Sequence, residues 1–302
     1  MNKIIELNEE NYKSLQEAIN EINPNYYISA LNLLLWKNYN LKIFYKINYD
    51  VIYVYMVLNS MININGRIVK DFYILRPIIK QNVISYNYLI EAVLNAKQLV
   101  KNNREIYFDR LFEDDLKYFR NCTVISQSNS AFFYLTKQLK FFPGKKMQKK
   151  RNLYNFYLKN YESETRIEIY NPSYKQKVIE YCEKHIIETN GSIRKHEINS
   201  IKNLLKVNDL NMSGILIFYK DELVGVTIGC KRNDVYEIFI EKASRSLKGS
   251  YQYLLSKNLE INQIETTYID RQDSERLENL DQSKRSYKPI FVFSTYFVKV
   301  VL

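Results

Sequence analysis

The chain is poor in the residues that form disulfides and metal sites. Its 302 residues include three cysteines, Cys122, Cys182 and Cys230, and two histidines, His185 and His196. An odd number of widely separated cysteines excludes a disulfide framework and indicates a reducing compartment. These five side chains also show none of the spacings from which zinc sites are assembled. We therefore predict no metal site, and we expect both histidines to be solvated and non-catalytic.

Long hydrophobic runs are also missing. Apolar runs such as Leu31–Trp36 fall far below the ~20 residues that span a bilayer. The amino terminus runs directly into the polar residues Asn8–Asn11, so no signal peptide is expected. We therefore expect a cytoplasmic protein without a transmembrane segment, peripheral at the membrane at most.

One long stretch of the sequence has no acidic residue. Over the whole chain, 44 Lys and Arg exceed 33 Asp and Glu and give a net charge of +11, but residues 116–161 contain no Asp or Glu. This segment carries ten cations: Lys117, Arg120, Lys137, Lys140, Lys145, Lys146, Lys149, Lys150, Arg151 and Lys159. A local field of this kind favours a polyanion such as RNA, or an anionic membrane surface.

The residues that are present indicate a globular α/β (α+β) protein. Hydrophobic residues make up 46% of the chain and aromatic residues 14%, and the length suits two domains. Hydrophobic periodicity predicts the order β-α-α-β-β-β-α-β-α-β for residues 165–301, and the first half repeats this order between residues 3 and 126. We predict two tandem domains, 1–135 and 136–302, each a mixed β-sheet flanked by helices, with the boundary within Ser130–Gly144.

Several predicted elements position the residues discussed below. In the second half they are strands at Val235–Lys242 and Glu265–Ile269, helices at Ser173–Thr189, His196–Lys206, Gly249–Ile261 and Ser274–Ser283, and a final strand pair within Ile290–Val301. Towards the end of the first half we expect a helix at Glu113–Arg120 and a strand at Thr123–Ser126.

The most informative turn joins the fourth strand of the second half to the following helix. The strand ends at Glu241 and Lys242, the loop carries Arg245 and Lys248, and the helix begins at Gly249. Free backbone N–H groups and the helix dipole make such a turn a binding place for an anion, and here cationic side chains are added. We predict that this turn holds a phosphate-bearing donor beside a reacting carbonyl.

A second notable segment is Pro143–Phe156, which begins a helix with five cations within Lys145–Arg151. Cations in a first helical turn oppose the helix dipole, each at a cost of about 0.3–1 kcal/mol when exposed. Binding of a polyanion and a merely solvated basic face both stay open, and the conflict with the dipole favours binding. Arg151 lies on the apolar face and could instead be a buried structural residue with a carboxylate partner.

A third segment, Tyr268–Pro289, follows the fifth strand of the second half. In a sheet of the predicted order, Arg271 and Asp273 would face Glu241 and Lys242 across a cleft at adjacent strand ends. Acyl transfer needs an oriented nucleophile, a proton acceptor and positive charge where the oxyanion forms. These four residues could supply those parts, and the alternative is a pair of surface salt bridges.

The order of elements resembles the GNAT-type N-acyltransferase fold, in which a Q/R-x-x-G-x-G/A loop binds the pyrophosphate of the donor. The corresponding loop, Arg245–Ser250, has one glycine instead of two, and Lys248 stands where the first glycine belongs. The close approach of backbone to pyrophosphate that glycine permits is thus compromised. Acetyl-CoA is therefore a poor candidate for the donor.

The three segments described above, together with N-P-N-Y-Y-I-S-A-L-N-L-L-L-W at Asn23–Trp36, resemble the soluble catalytic domain of the phosphatidylglycerol lysyltransferases and its stand-alone relatives. The resemblance extends over nearly the whole chain. It implies two tandem GNAT-like domains related to the Fem-type peptidyltransferases, with aminoacyl-tRNA as donor. In the membrane-bound members of that family the acceptor is the hydroxyl of phosphatidylglycerol. The sequence departs from the family by Asp270 and Gln272, where Asn and Glu are more usual, and by showing no amino-terminal membrane helices.

The family's motifs are matched at a defined set of positions. They are Lys149, Lys150, Arg151 and Asn152, then Glu241, Lys242, Gly249, Tyr251 and Gln252, and finally Arg271, Asp273, Lys284, Tyr287 and Pro289. We predict that the donor tRNA is bound by Lys149, Lys150, Arg151, Arg245, Lys248, Gly249, Tyr251 and Lys284.

We therefore predict a cofactor-free aminoacyltransferase that moves an amino acid from aminoacyl-tRNA to a lipid, peptide or small-molecule acceptor. We expect Lys242 and Arg271 to stabilise the oxyanion, and Asp273 or Glu241 to orient the acceptor or the aminoacyl amine. Two alternatives stay open. One is a non-catalytic module that binds RNA or anionic lipid, and the other is a CoA-dependent N-acyltransferase.

Overall fold

A computed structural model of the chain describes most of the sequence, and it divides the chain into two compact units. The described residues are 3–38, 40–64, 67–69, 71–80, 83–100, 105–119, 121–190, 195–207, 211–274 and 277–301. The first unit comprises residues 1–130 and 294–302, and the second comprises residues 131–293.

The first unit contains an antiparallel sheet with one parallel strand pair. Its elements are β1 (Ile5–Glu6), α1 (Tyr12–Ile22), α2 (Ala30–Trp36), β2 (Leu41–Asn48), β3 (Val51–Leu58), β4 (Ile62–Ile64), β5 (Arg67–Val69), β6 (Phe72–Leu75), β7 (Ile78–Ile79), α3 (Tyr86–Leu99), β8 (Ile106–Leu111), the first part of β9 (Asn121–Leu135), and most of β15 (Phe291–Val301) from the end of the chain. The strands lie in the order β1-β2-β3-β6-β8-β15, and β6 and β8 are parallel. Strand β3 is buried along nearly its whole length, as expected for a strand covered on both faces.

The second unit has the same plan. Its elements are the last part of β9, α4 (Thr136–Phe141), α5 (Gln148–Tyr161), β10 (Thr165–Ile169), α6 (Lys175–Asn190), α7 (Lys195–Lys206), β11 (Met212–Tyr219), β12 (Glu222–Arg232), β13 (Val235–Ala243), α8 (Ser250–Ile261), β14 (Tyr268–Asp270) and α9 (Glu278–Arg285). The strands lie in the order β9-β14-β13-β12-β11-β10, and β13 and β14 are parallel. The side chains of α8 that face the sheet, Leu255 and Leu259, pack against Tyr236 and Ile238 of β13.

The duplicated topology predicted from the sequence is present. In each unit one helix connects the two parallel strands: α3 leads from β6 to β8, and α8 leads from β13 to β14. The second strand of each parallel pair also carries the same short pattern, Tyr-x-Asp-Arg, at Tyr107–Arg110 and at Tyr268–Arg271. The two units therefore place an acidic and a basic residue at equivalent strand ends.

Several predicted boundaries change. The strand expected at Thr123–Ser126 runs from Asn121 to Leu135, and α4 follows directly, so Ser130–Gly144 is regular structure over much of its length. The expected final strand pair is the single strand β15. The expected helix at Glu113–Arg120 is a 3₁₀ turn at Glu113–Tyr118, and Arg120 lies outside the described residues.

The sequence-based domains, 1–135 and 136–302, stay a prediction. The units of the structure differ from them chiefly at the end of the chain, where residues 294–302 belong to the first unit. The reason is the pairing of β15 with β8, in which Tyr296 opposes Leu111 and Val300 opposes Ile106. Sequence separation gave no sign of this pairing because nearly 200 residues lie between the two strands.

Gly249, the residue before α8, is required for the close packing of α8 on α5. It has a φ angle of +92°, and a Cβ built on it would lie 2.1 Å from the carbonyl oxygen of Leu153 in α5. Two tyrosines continue the contact, since the rings of Tyr157 and Tyr253 stack with centroids 4.3 Å apart. Helix α5 therefore lies directly against the first turn of α8.

We expect Gly249→Ala to lower the free energy of unfolding by about 3–5 kcal/mol, because it adds a clash with backbone to an unfavourable φ angle. Gly144→Ala is the matched control. Its φ is +71°, but a Cβ there meets nothing within 4 Å, so only backbone strain of about 1–3 kcal/mol is expected. Urea denaturation of both variants measures the difference. Equal losses of unfolding free energy in the two variants would show that α5 does not pack closely against Gly249.

Candidate functional site

A bulge in β13 decides which side chains of this strand share a face. Ile238 and Ile240 pair with consecutive residues of β12, so Phe239 has no partner across the strands. The extra residue shifts the alternation of side chains after it. Ile238 and Ala243, five positions apart, consequently both pack against α8. Glu241 shares their face, and Lys242 points to the opposite one.

Glu241 and Arg271 form a buried, bidentate ion pair. Arg271 donates from Nε to Oε2 of Glu241 at 3.0 Å and from Nη2 to Oε1 at 2.6 Å. Both side chains are only 10% exposed. Bidentate guanidinium–carboxylate contacts are among the strongest hydrogen bonds in proteins. The pair joins the end of β13 to the segment after β14, and its two charges cancel.

Tyr287 lies beneath this pair and also contacts a lysine. The guanidinium carbon of Arg271 is 4.4 Å from the centroid of the Tyr287 ring, and Lys150 Nζ is 3.8 Å from the same centroid. Gln252 of α8 donates to the Tyr287 hydroxyl at 2.5 Å. Burial raises the pKa of Tyr287 to about 12, so the phenol is neutral at physiological pH. We call Lys150, Glu241, Gln252, Arg271 and Tyr287 the Arg271 cluster.

Lys150 is the unneutralised charge of the Arg271 cluster. It is half-buried in the first turn of α5. Within the described part of the chain, no carboxylate lies within ion-pair distance of its Nζ. Burial and the nearby Arg271 cation lower the pKa of Lys150 to about 8, although Glu241 opposes them. The cluster therefore carries at most one net positive charge, located on this amine.

Lys284 fastens the segment that carries Arg271. It is 8% exposed, and its ammonium donates to the backbone carbonyl oxygens of Arg271, Gln272 and Asp273. Burial lowers the pKa of Lys284, and the attraction of the nearby Asp273 carboxylate opposes this shift. Lys284 thus holds the loop after β14, and its ammonium is not available to a tRNA.

Lys242 belongs to a separate group of polar side chains. It forms an ion pair with Glu197 of α7, and this attraction raises its pKa despite the opposing effect of burial. The Tyr251 hydroxyl lies 3.1 Å from Nε2 of His185, which is 3.0 Å from the carbonyl oxygen of Ala243. Burial lowers the pKa of His185. The position of His185 is buried, at 7% exposure, which corrects the expectation that this histidine is solvated.

The structure thus separates the four predicted catalytic residues. Glu241 and Arg271 meet as expected, but Lys242 contacts Glu197, and Asp273 lies beside Lys284. The expectation that Lys242 faces the Glu241–Arg271 pair is therefore wrong, and the expectation that Asp273 faces it stays a prediction. The bulge at Phe239 is the physical reason that Lys242 does not face Arg271. It shifts the alternation of side chains along β13, so that Glu241 points to the face where Arg271 lies and Lys242 to the opposite face.

The predicted donor-binding residues also divide into exposed and structural ones. Lys149, Arg245 and Lys248 are exposed, and Lys248 Nζ lies 4.7 Å from the ring of Phe156 on α5. Arg151 donates to the carbonyl oxygens of Phe142 at 2.6 Å and Gly144 at 3.1 Å. It therefore closes the turn before α5 by binding carbonyls, and not through the carboxylate partner considered from the sequence.

Two further residues predicted to bind the donor, Gly249 and Tyr251, make contacts within the protein. Two other contacts of site residues were not predicted from the sequence. Gly249 faces Leu153, so its backbone serves the contact between α8 and α5. Tyr251 points to His185. The partnership of Glu197 with Lys242 had no signal in the sequence, because the two residues are 45 positions apart on different elements. The contact of Lys150 with Tyr287 was equally hidden, although both positions match motifs of the family.

Within the ranges given above, His, Cys, Asp and Glu side chains form no group of three that could hold a metal ion. Over the same ranges, none of the helices combines the length and the apolar character that crossing a bilayer requires.

We expect Lys284→Met to lower the free energy of unfolding by about 2–4 kcal/mol, because three backbone carbonyls lose a charged donor in a buried place. Lys288→Met, four residues later at an exposed position, is the control and should change stability by less than about 0.5 kcal/mol. Thermal and urea unfolding measure both. A loss in Lys284→Met no larger than in the control would contradict the role of Lys284 in holding the loop.

Comparison with known proteins identifies relatives over most of the chain. The family model described as phosphatidylglycerol lysyltransferase, C-terminal, matches residues 89–299. An uncharacterized protein of Mycoplasmoides gallisepticum is 30% identical over 304 residues, covering 96% of this chain and 97% of the relative.

Solved structures show the same fold at low sequence identity. A conserved protein of unknown function from Bacteroides thetaiotaomicron has a TM-score of 0.80 and 17% identity, with 100% of both chains covered. FemX has a TM-score of 0.63 and 8% identity, covering 99% of this chain and 97% of its own. A tandem GNAT protein from the clavulanic acid biosynthesis pathway has a TM-score of 0.53 and 8% identity, covering 100% and 98%. The predicted fold, two tandem GNAT-like domains, is confirmed.

Proposed function

Because the chain belongs to the family of the phosphatidylglycerol lysyltransferase C-terminal domain, we propose that it is an aminoacyltransferase that uses aminoacyl-tRNA and a lipid acceptor. The amino acid would pass from the tRNA to the hydroxyl group of a phosphatidylglycerol-like lipid. The observation that carries the proposal is the Arg271 cluster, a buried and preorganised group of charges that continues into exposed lysines on α5.

The chemistry of this transfer suits such a site. An aminoacyl ester is already activated, so catalysis consists mainly of positioning the reactants and stabilising charge that develops on the carbonyl oxygen. The Arg271–Glu241 pair is fixed by two hydrogen bonds and by the Tyr287 ring. Arg271 therefore needs no reorganisation when it orients an ester or its neighbouring groups, which is the main advantage of an enzyme site over water.

The exposed cations support a polyanionic donor. Lys145, Lys146 and Lys149 are exposed immediately before Lys150 on the same short segment. Arg245 and Lys248 add two exposed cations at the turn before α8, next to α5. Such side chains neutralise phosphates and make binding steeply dependent on salt. We propose that they bind the acceptor stem and the 3′-terminal phosphates of tRNA.

The packing of α5 supports tRNA over CoA as donor. In the GNAT-type fold the pyrophosphate of CoA is bound by the first turn of the helix after the fourth strand. Here the equivalent turn begins at Gly249, whose Cα faces the Leu153 carbonyl oxygen of α5. One side of this turn is thus occupied by a carbonyl oxygen of the protein itself. The phosphates of the donor would instead be bound by the exposed lysine and arginine side chains described above.

Exposed aromatic side chains in the second unit suit a lipid acceptor. Phe141 is 62% exposed and Phe291 54%, and Lys140 Nζ lies 5.5 Å from the Phe141 ring. Exposed aromatic and basic side chains together favour binding at an anionic membrane surface. Peripheral contact of this kind would bring the site to a lipid headgroup.

The test is a transfer assay with the purified chain, tRNA charged with radioactive amino acids, and vesicles that contain phosphatidylglycerol. We expect labelled lipid, with the double variant Glu241→Gln, Arg271→Gln reduced at least about 100-fold in turnover, because it removes preorganised charge but keeps side chains of similar size. Binding of tRNA should be unchanged in that variant. Absence of labelled lipid with every amino acid tried would contradict the proposal.

A second pair of variants tests tRNA binding. Reversing Lys145 and Lys146 to Glu should weaken tRNA binding about 10- to 100-fold at low salt and flatten its salt dependence. Reversing Lys195 and Lys206, exposed residues at the two ends of α7, is the control and should leave binding within about twofold. If both pairs weaken binding equally, the segment before α5 is not the tRNA site. A protein that binds tRNA but transfers nothing would be the non-catalytic module.

A further inference from the structure

Among the described residues, Lys150 has no protein oxygen as an acceptor for its ammonium, unlike the neighbouring Lys242 and Lys284. Lys242 has the carboxylate of Glu197, and Lys284 has three backbone carbonyls. For Lys150, the described part of the chain offers only the face of the Tyr287 ring, 3.8 Å away. Partial burial without an oxygen partner from the protein disfavours the charged form of a lysine.

Three features of its surroundings favour the neutral amine. The side chain is half-buried, Arg271 lies on the same tyrosine ring, and Lys150 is the third residue of α5, where the positive end of the helix dipole lies. Each of these disfavours a cation. The carboxylate of Glu241 acts in the opposite direction but is engaged by Arg271, and the Tyr287 ring contributes a cation–π attraction of about 0.5–2 kcal/mol.

We propose that the ε-amine of Lys150 is the general base of the transfer, the group that takes the proton from the acceptor hydroxyl as this attacks the aminoacyl ester. The assignment rests on the proposed function and adds a catalytic residue to it. In the sequence alone, Lys150 was one of several cations expected to attract tRNA. The structure instead places it between those exposed lysines and the Arg271–Glu241 pair.

The step balances without a further reactant. The acceptor oxygen forms a bond to the ester carbonyl carbon while its proton moves to the lone pair of the Lys150 amine. The bond between that carbon and the ribose oxygen of tRNA then breaks, and the new Lys150 ammonium gives its proton to this leaving oxygen, which becomes the ribose hydroxyl. The lysine ends as it began. During the step, its transient positive charge lies beside Glu241 and over the Tyr287 ring, both of which favour it.

Three other ionisable groups of the second unit are less suited to this role. Glu241 is held in two hydrogen bonds by Arg271, and Asp273 lies beside Lys284. His185 contacts Tyr251 and the backbone at Ala243, in the separate group that includes Lys242. Among these four groups, Lys150 alone combines an unoccupied lone pair with a place in the Arg271 cluster.

The pH dependence follows from the direction of the Lys150 shift. Its pKa is lowered to about 8 by burial and by Arg271, so the amine is mostly protonated at pH 7 and mostly free at pH 9. The groups facing it are Arg271, Glu241 and Tyr287, and Tyr287 stays neutral because burial raises its pKa to about 12. Hence kcat/KM should rise about tenfold per pH unit below 8 and level off above it.

The decisive variant is Lys150→Arg, because arginine keeps the charge and the ring contact but cannot give up its proton. We expect at least a 100-fold loss of kcat with tRNA affinity within threefold of the wild type. Lys159→Arg is the matched control, since Lys159 is exposed in the last turn of the same helix, and it should keep full activity. Retention of kcat within threefold in Lys150→Arg would overturn the role of Lys150 and leave the proposed function standing.

A measurement without substrates separates the two proposals. Acetylation of lysines by an amine-reactive ester, followed residue by residue with mass spectrometry between pH 6.5 and 10, reports the free amine. Labelling of Lys150 should follow a titration near pH 8, with the exposed Lys159 labelled in the same samples as the reference. A Lys150 titration above 10 would overturn its role whatever the transfer assay shows. Absence of transfer by the wild type with every charged tRNA would overturn the proposed function and the role of Lys150 with it.

Discussion

The bidentate contact between Arg271 and Glu241 is the interaction on which the candidate site depends. It connects the ends of the parallel strands β13 and β14, which separate beyond their short pairing at Val235–Glu237 and Tyr268–Asp270. A buried charge without its partner costs about 3–5 kcal/mol, so neither residue can leave the other. The pair therefore fixes the geometry of the loop after β14. The ammonium of Lys284 holds the same loop through hydrogen bonds to three of its backbone carbonyls.

This constraint sets the electrostatics of the surroundings. Because Arg271 and Glu241 neutralise each other, the net charge of the cluster depends on Lys150, whose ammonium shares the Tyr287 ring with Arg271. A single adjustable charge beside a fixed, neutral pair is an arrangement suited to proton transfer at neutral pH. The exposed lysines before it provide a long-range attraction for a polyanion without altering the charge balance of the buried groups.

The two units share a topology but have different chemistry. Each carries a Tyr-x-Asp-Arg pattern at the second strand of its parallel pair. In the first unit, Arg110 contacts the ring of Trp36, and a separate buried pair joins Arg76 to Asp115. In the second unit, the equivalent arginine is Arg271, which meets Glu241 and the ring that Lys150 also contacts. The difference has two causes. Helix α5 carries Lys150, and the bulge at Phe239 turns Glu241 to the face of β13 where Arg271 lies.

The sequence by itself determined the fold class, the duplicated order of elements, and the segments in which the functional residues lie. Hydrophobic periodicity and turn residues are local signals, and residues 143–156, 241–249 and 268–289 were recognisable from them and from the family's motifs. Which residues meet was decided by the tertiary structure. One unpaired residue in β13 moved Lys242 away from Arg271, the packing of α5 placed Gly249 against Leu153, and Lys284 became a buried support. The face on which a side chain lies, the register of the strands and the contacts between distant residues all follow from packing. A single extra residue in a strand reverses which side chains lie on which face, because side chains alternate with a period of two.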